Sequence, residues 1–157
     1  MPRLPFASGS DLIFQEGVVA TIEIKTTLNN AALSSIGSNI QSVRALLPSI
    51  GASSQMGITH SWPHSKVLTT VVTYGGAAIE TLVPSLVALD ESARPDLVLD
   101  LSKGLLVKNH GFLLPIQDDF DYLFVNNPGE VFKFFLTFLT EITGTLSSRG
   151  VLWRQYW

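Results

Sequence analysis

Two β-branched runs, each followed by a segment of helical spacing, constrain this chain more than anything else in it. Val18-Val19-Ala20-Thr21-Ile22-Glu23-Ile24-Lys25 alternates as a strand does: Val18, Ala20, Ile22 and Ile24 share one face, and Thr21, Glu23 and Lys25 share the other. Asn29 or Asn30 can then cap a helix carrying Leu33, Ile36, Ile40, Val43 and Leu47 at three- and four-residue steps, and Pro48 ends it. The pattern recurs in Val67–Tyr74, closed by Gly75-Gly76, and in Ala77–Leu89, where Ile79, Leu82, Val83 and Leu86 have helical spacing and Pro84 is expected to kink or divide the helix. Leu97–Leu101 and Leu105–Lys108 flank Ser102-Lys103-Gly104 as a hairpin would. The last helix is marked by Asn127 as cap, Pro128 in its first position and Glu130 three residues after the cap. Its apolar stripe is Val131, Phe134, Phe135, Phe138, Leu139 and Ile142, and Gly150 follows its end. Strand, helix, strand, helix, strands, helix gives an α/β fold: a single domain over 1–157 with a mixed β-sheet flanked by helices. Residues 1–10 read as an irregular N-terminus and 48–65 as a long loop, rich in Ser, Gly, Pro and His and free of Lys, Arg, Asp and Glu.

Composition narrows the class of function. Hydrophobic residues are 46% and charged residues 15%, against about 25% charged in an average domain, which excludes a disordered or coiled-coil chain. So few charges leave apolar surface to be covered by a partner, either a second copy or another protein. The net charge is −3, with no basic cluster or stripe, which argues against an autonomous nucleic-acid binder held by phosphate neutralisation. There is no cysteine, so thiol and iron–sulfur chemistry and disulfides are excluded. Val131–Leu139, interrupted by Lys133, is too short to span a bilayer, and Met-Pro-Arg-Leu-Pro-Phe at the N-terminus lacks the apolar run of a signal peptide. A cytoplasmic protein without a membrane partner is expected.

Glu23-Ile24-Lys25 is the one place where spacing suggests a mechanism. Residues two apart on a strand project from one face, about 6.5–7 Å apart. A carboxylate and an ammonium held so suit phosphodiester hydrolysis: the acid binds a magnesium ion, and the lysine sits by the attacking water or the scissile phosphate. Taken alone, the triplet equally describes a solvated ion pair on a half-exposed strand.

Its context adds a resemblance. The run Glu16 to Leu28, the helix ending Ser42-Val43-Arg44-Ala45-Leu46, and the later segments Arg94 to Asp100 and Lys103 to Val107 resemble a family of uncharacterised bacterial and archaeal domains of the PD-(D/E)XK nuclease superfamily. The likeness covers roughly residues 12–110. It implies a restriction-endonuclease-like core and a metal-dependent nuclease using Mg (or Mn) and acting on nucleic acid. Glu23 would be a metal ligand, Lys25 the catalytic lysine, and Gln41, on the following helix, a polar accessory. The superfamily's first aspartate precedes the Glu-x-Lys strand in a hairpin; in the resembling family it lies in a longer N-terminal region, which the resemblance leads one to expect is missing from these 157 residues. Asp11 is the only aspartate upstream and Glu16 a second candidate acid; Pro95-Asp96 has the motif's letters but follows the lysine. A degenerate scaffold serving as a non-catalytic protein-interaction module is therefore the alternative.

Other residues have plainer readings. His60 and His64 flank Pro63, which prevents the helix that would join them on one face, so a surface loop is expected. Asp118, Asp119 and Asp121 lack the glycine and terminal glutamate of a calcium loop, and His110 reads as a turn residue. Gly75-Gly76 lacks the dinucleotide fingerprint and the P-loop lysine and is read as a tight turn. Trp153, Tyr156 and Trp157 close the chain as candidate interface aromatics.

Overall fold

The computed structural model describes residues 18, 20–45, 67–109, 119–127, 131–137 and 139–140 in full, and the backbone of 3–5, 11–13, 51–55 and 58–62. Nine strands are present among them: β1 (Arg3–Pro5), β2 (Asp11–Ile13), β3 (Ala20–Lys25), β4 (Gly51–Gln55), β5 (Ile58–Trp62), β6 (Leu68–Thr73), β7 (Leu97–Asp100), β8 (Gly104–Lys108) and β9 (Tyr122–Val125). The helices are α1 (Asn30–Ala45), α2 (Ile79–Val87) and a helical run over 131–137, called α3.

A five-stranded sheet in the order β3-β6-β7-β8-β9 forms the centre. β3, β6 and β7 run parallel, joined through α1 and then α2, while β7–β8 and β8–β9 are antiparallel. Parallel neighbours need such crossovers, because a short turn cannot return the chain to the same end of the sheet. One face packs Val71, Val98, Leu106 and Tyr122 under Leu33, Ile36 and Ile40 of α1 and Leu82 and Leu86 of α2. The other packs Leu68, Leu97, Leu99, Leu105 and Val107 under Val131 and Phe135 of α3. β7 and β8 are buried at every residue, as strands covered on both faces must be.

Local signals explain the elements. Asn29 Oδ1 accepts the Ala32 N–H at 2.9 Å, so Asn29 is the cap of α1. Asn127 stands where the expected cap of α3 should be, its carbonyl accepting from Val131 N–H at 3.0 Å. The hairpin at Ser102-Lys103 forms as read. Leu28 bridges to Gly76, and a Cβ at Gly76 would lie 2.1 Å from the Leu28 carbonyl oxygen, so only glycine fits this close approach.

Three expectations are corrected. Pro84 lies inside α2 (Ile79–Val87) without dividing it, so of the two expected outcomes division is overturned. In place of an irregular loop over 48–65, β4 and β5 pair antiparallel from Gly51↔Trp62 to Gln55↔Ile58; the backbone ladder needs no apolar side chains, which is why composition concealed it. In place of an irregular start, β1 pairs with β2 from Arg3↔Ile13 to Pro5↔Asp11. β9 has no signal in the sequence, because the four residues Tyr122–Val125 are too few for an alternation to register. Among the described residues no helix is long and apolar enough to cross a membrane.

Candidate active site on the edge strand

β3 is the edge of the central sheet, and its pleat sorts its side chains as the alternation required. Thr21, Glu23 and Lys25 turn toward α1 and are half-buried, whereas Ile22 and Ile24 on the opposite face are 49% and 66% exposed. The usual burial is inverted: on this strand the polar face lies under the helix. Glu23 Oε1 accepts from Lys25 Nζ at 2.8 Å, the two side chains being 22% and 30% exposed. From α1, Asn39 Nδ2 stands 3.2 Å from both Oε1 and Oε2 of Glu23. The group borders a small pocket between α1, β3 and β6, lined by Thr21, Glu23, Asn39, Ile40, Val43 and Thr69.

The sequence candidates fare differently. Glu23 and Lys25 come together on one face of one strand. Gln41 does not join them: its Nε2 donates to Ser92 Oγ at 3.1 Å, on the other flank of α1. Gln41 and Asn39 lie two positions apart, about 200° around a helix, so only one of them can face β3, and that residue is Asn39. Sequence reasoning missed Asn39, because Asn39 and Gln41 both flank the buried Ile40 and apolar spacing does not tell which flank meets β3. Asp11 heads β2, its side chain outside the described residues, as is all of Glu16. His60 lies on the β5 backbone, and His64, His110, Asp118, Trp153, Tyr156 and Trp157 fall outside the described residues. Asp119 and Asp121 are exposed, and Asp121 pairs with Arg94 at 3.4 Å.

Pro95-Asp96 proves to be scaffold. Asp96 is buried and accepts from Thr69 N–H at 2.9 Å, from Thr69 Oγ1 at 2.8 Å and from Arg44 at 3.4 Å, while Arg44 also donates to the carbonyls of Ser92 and Arg94. The aspartate thus ties α1 to the start of β7. At the far end of β7 the buried Asp100 pairs with Lys103 at 2.7 Å and accepts from Ser102 N–H and Oγ.

No group of three or more His, Cys, Asp or Glu able to hold a metal occurs among the described residues. The donor set of the site is nevertheless of the right kind for a hard cation. It offers a carboxylate with both oxygens on a partly open surface, and magnesium commonly keeps several waters and takes one or two carboxylates.

The sheet order, the β3–α1–β6 crossover and the antiparallel back strands make a single-domain α/β fold of restriction-endonuclease-like architecture. The particular proteins it resembles are NucC structures. That of Escherichia coli MS115-1 in its apo form superposes with a TM-score of 0.67 at 16% identity, covering 90% of this chain and 61% of that one. The cAAA-bound form from Pseudomonas aeruginosa ATCC27853 gives 0.69 at 18% identity, and the cAAA-bound E. coli form 0.70 at 16%, each covering 90% of this chain and 58% of the other. At these identities the likeness shows the fold, and the chain spans about three-fifths of the length of the NucC chains. No protein-family model matches the chain, and no curated protein matches its sequence.

Proposed function

We propose that the chain is a metal-dependent nuclease domain hydrolysing phosphodiester bonds of nucleic acid, with its centre at Glu23 and Lys25. The observation that carries this reading is the pair itself: acid and lysine held 2.8 Å apart on the half-buried face of a strand, in a nuclease-like fold, beside an open pocket. Glu23 would hold the Mg or Mn ion, with Asp11 or Glu16 as the second carboxylate. When bound, the ion supplies Lewis-acid polarisation of the phosphate and lowers the pKa of a bound water. Lys25, which now donates to Glu23 at 2.8 Å, would turn from that carboxylate to a non-bridging phosphate oxygen once Glu23 holds the ion, offsetting the charge that develops as the nucleophile adds. Such chemistry suits a cytoplasmic enzyme meeting nucleic acid there.

The test is cleavage of plasmid DNA and of single-stranded RNA by the full chain with Mg or Mn, with and without cAAA, the ligand of two of the neighbouring structures. Glu23→Gln and Lys25→Met should each lower the rate about 10²-fold or more, the scale for removing one transition-state donor. Cutting that survives both substitutions, or no cutting of either nucleic acid, overturns the reading.

One observation favours the second reading, a protein-interaction module. Ile22 and Ile24, on the sheet face opposite α1, are 49% and 66% exposed, and Tyr74 and Leu101, just past the ends of β6 and β7, are 64% and 50% exposed. On this reading Glu23→Ala leaves the biological phenotype intact, while Ile24→Asp abolishes an association seen by light scattering.

A further inference from the structure

The Asn39 amide is the member of the site to which the proposed chemistry gives no part. We propose that Asn39 is a cation ligand, its Oδ1 taking a place beside the Glu23 carboxylate; the inference rests on Glu23 being a metal ligand. The amide lies across the mouth of the carboxylate, 3.2 Å from Oε1 and 3.2 Å from Oε2, rather than against one oxygen. A divalent cation approaching Glu23 must displace the donors that now occupy these lone pairs. Lys25 has only N–H to offer and can only withdraw. An asparagine carries a donor and an acceptor on one planar group, and a half-turn about its terminal torsion exchanges them. That turn costs little here: Asn39 is exposed, and among the described residues its side chain has no hydrogen bond other than those to Glu23. Spacing agrees as well. Two oxygens at adjacent corners of an octahedron with metal–oxygen bonds of about 2.1 Å are about 3.0 Å apart, within a few tenths of the separation already present. The backbone of Asn39 is fixed by its neighbour Ile40 and by Ile36, both buried against the sheet, so the oxygen needs no movement of the helix.

The experiment is Mn titration of the full chain without nucleic acid, read by electron paramagnetic resonance and calorimetry. Glu23→Gln should weaken binding about tenfold or more, which tests Glu23 itself. Asn39→Leu keeps the volume but removes the oxygen and should also weaken binding about tenfold. Asn39→Asp keeps an oxygen in place, adds charge, and should bind Mn about tenfold more tightly than the wild type. If both Asn39 variants bind as the wild type while Glu23→Gln is impaired, this inference is overturned and the reading of Glu23 stands. Unchanged binding by Glu23→Gln overturns both.

Discussion

Lys103 meets Asp100 at 2.7 Å and Lys25 meets Glu23 at 2.8 Å, both on the sheet face that carries α1, yet their surroundings differ in nearly every other respect. Asp100 ends a strand buried on both sides and is 2% exposed; Ser102 N–H, Ser102 Oγ and Lys103 occupy its oxygens, and Lys103 donates as well to the Gly76 carbonyl. The pair closes the β7–β8 hairpin and joins it to the turn after β6. Glu23 lies on the edge strand, 22% exposed, held by one ammonium and one neutral amide and bordering a pocket. A buried acid whose oxygens are all engaged by its own turn can only hold the fold together. A half-open acid whose partners can move can bind something.

The largest effect that could break this contrast is on activity. Glu23→Gln should abolish most cutting, by about 10²-fold, whereas Asp100→Asn, assayed at equal folded concentration, should retain wild-type rate constants. Equal losses in the two variants would erase the distinction. The next is on stability: Asp100→Ala leaves the Lys103 ammonium and the Ser102 donors without their acceptor and should cost about 2–3 kcal/mol in urea unfolding. This is below the about 3–5 kcal/mol of a fully buried broken pair, because Lys103 is 28% exposed and can turn to water.

Acid tests the Asp100 side of the contrast. Burial pushes the Asp100 carboxyl up, but the bonds from Lys103 and Ser102 outweigh it and hold the group below the usual carboxylate range. The hydrogen bond from Lys108 lowers Glu91 in the same direction, against a smaller penalty from burial. A carboxyl depressed in the folded state contributes stability that is present above its unfolded pKa and is lost as pH falls through the folded value. The urea midpoint should therefore hold from neutral pH down to about pH 5 and fall below about pH 4, near the unfolded carboxylate values. Asp100→Asn should flatten that fall; a decline between pH 7 and 5 would contradict this assignment.

The same contrast shows what the amino-acid order could reveal. The alternation of 18–25 placed Glu23 and Lys25 on one face because strand parity is local, and a cap at Asn29 or Asn30 was legible because such a bond spans only three residues, Asn29 being the one that makes it. The partner from α1 was not legible. Asn39 and Gln41 flank the buried Ile40 on opposite sides, so apolar spacing fixed which face of α1 meets the core but not which flank meets β3. That depends on the handedness of the β3–α1–β6 crossover and on β3 being the edge, both properties of the assembled sheet. Asp96, set aside in the sequence because it follows the lysine, shows the same dependence on the assembled fold: its partners, a backbone N–H, a hydroxyl and an arginine, come from residues far away in the chain.

The smallest expected effect is the most diagnostic. Removing both members of the edge pair, in Glu23→Ala with Lys25→Ala, should move unfolding free energy by no more than about 0.5 kcal/mol, since a partly exposed pair gains little beyond what water offers each charge. Stability is thus not what keeps an acid and a lysine on the helix-covered face while Ile22 and Ile24 take the open one. A strand under pressure only to fold would place the isoleucines under α1, where each buried side chain contributes about 1.5–3 kcal/mol. A double variant destabilised by 2 kcal/mol or more would show that the pair belongs to the scaffold after all, and would move Glu23 into the class of Asp100.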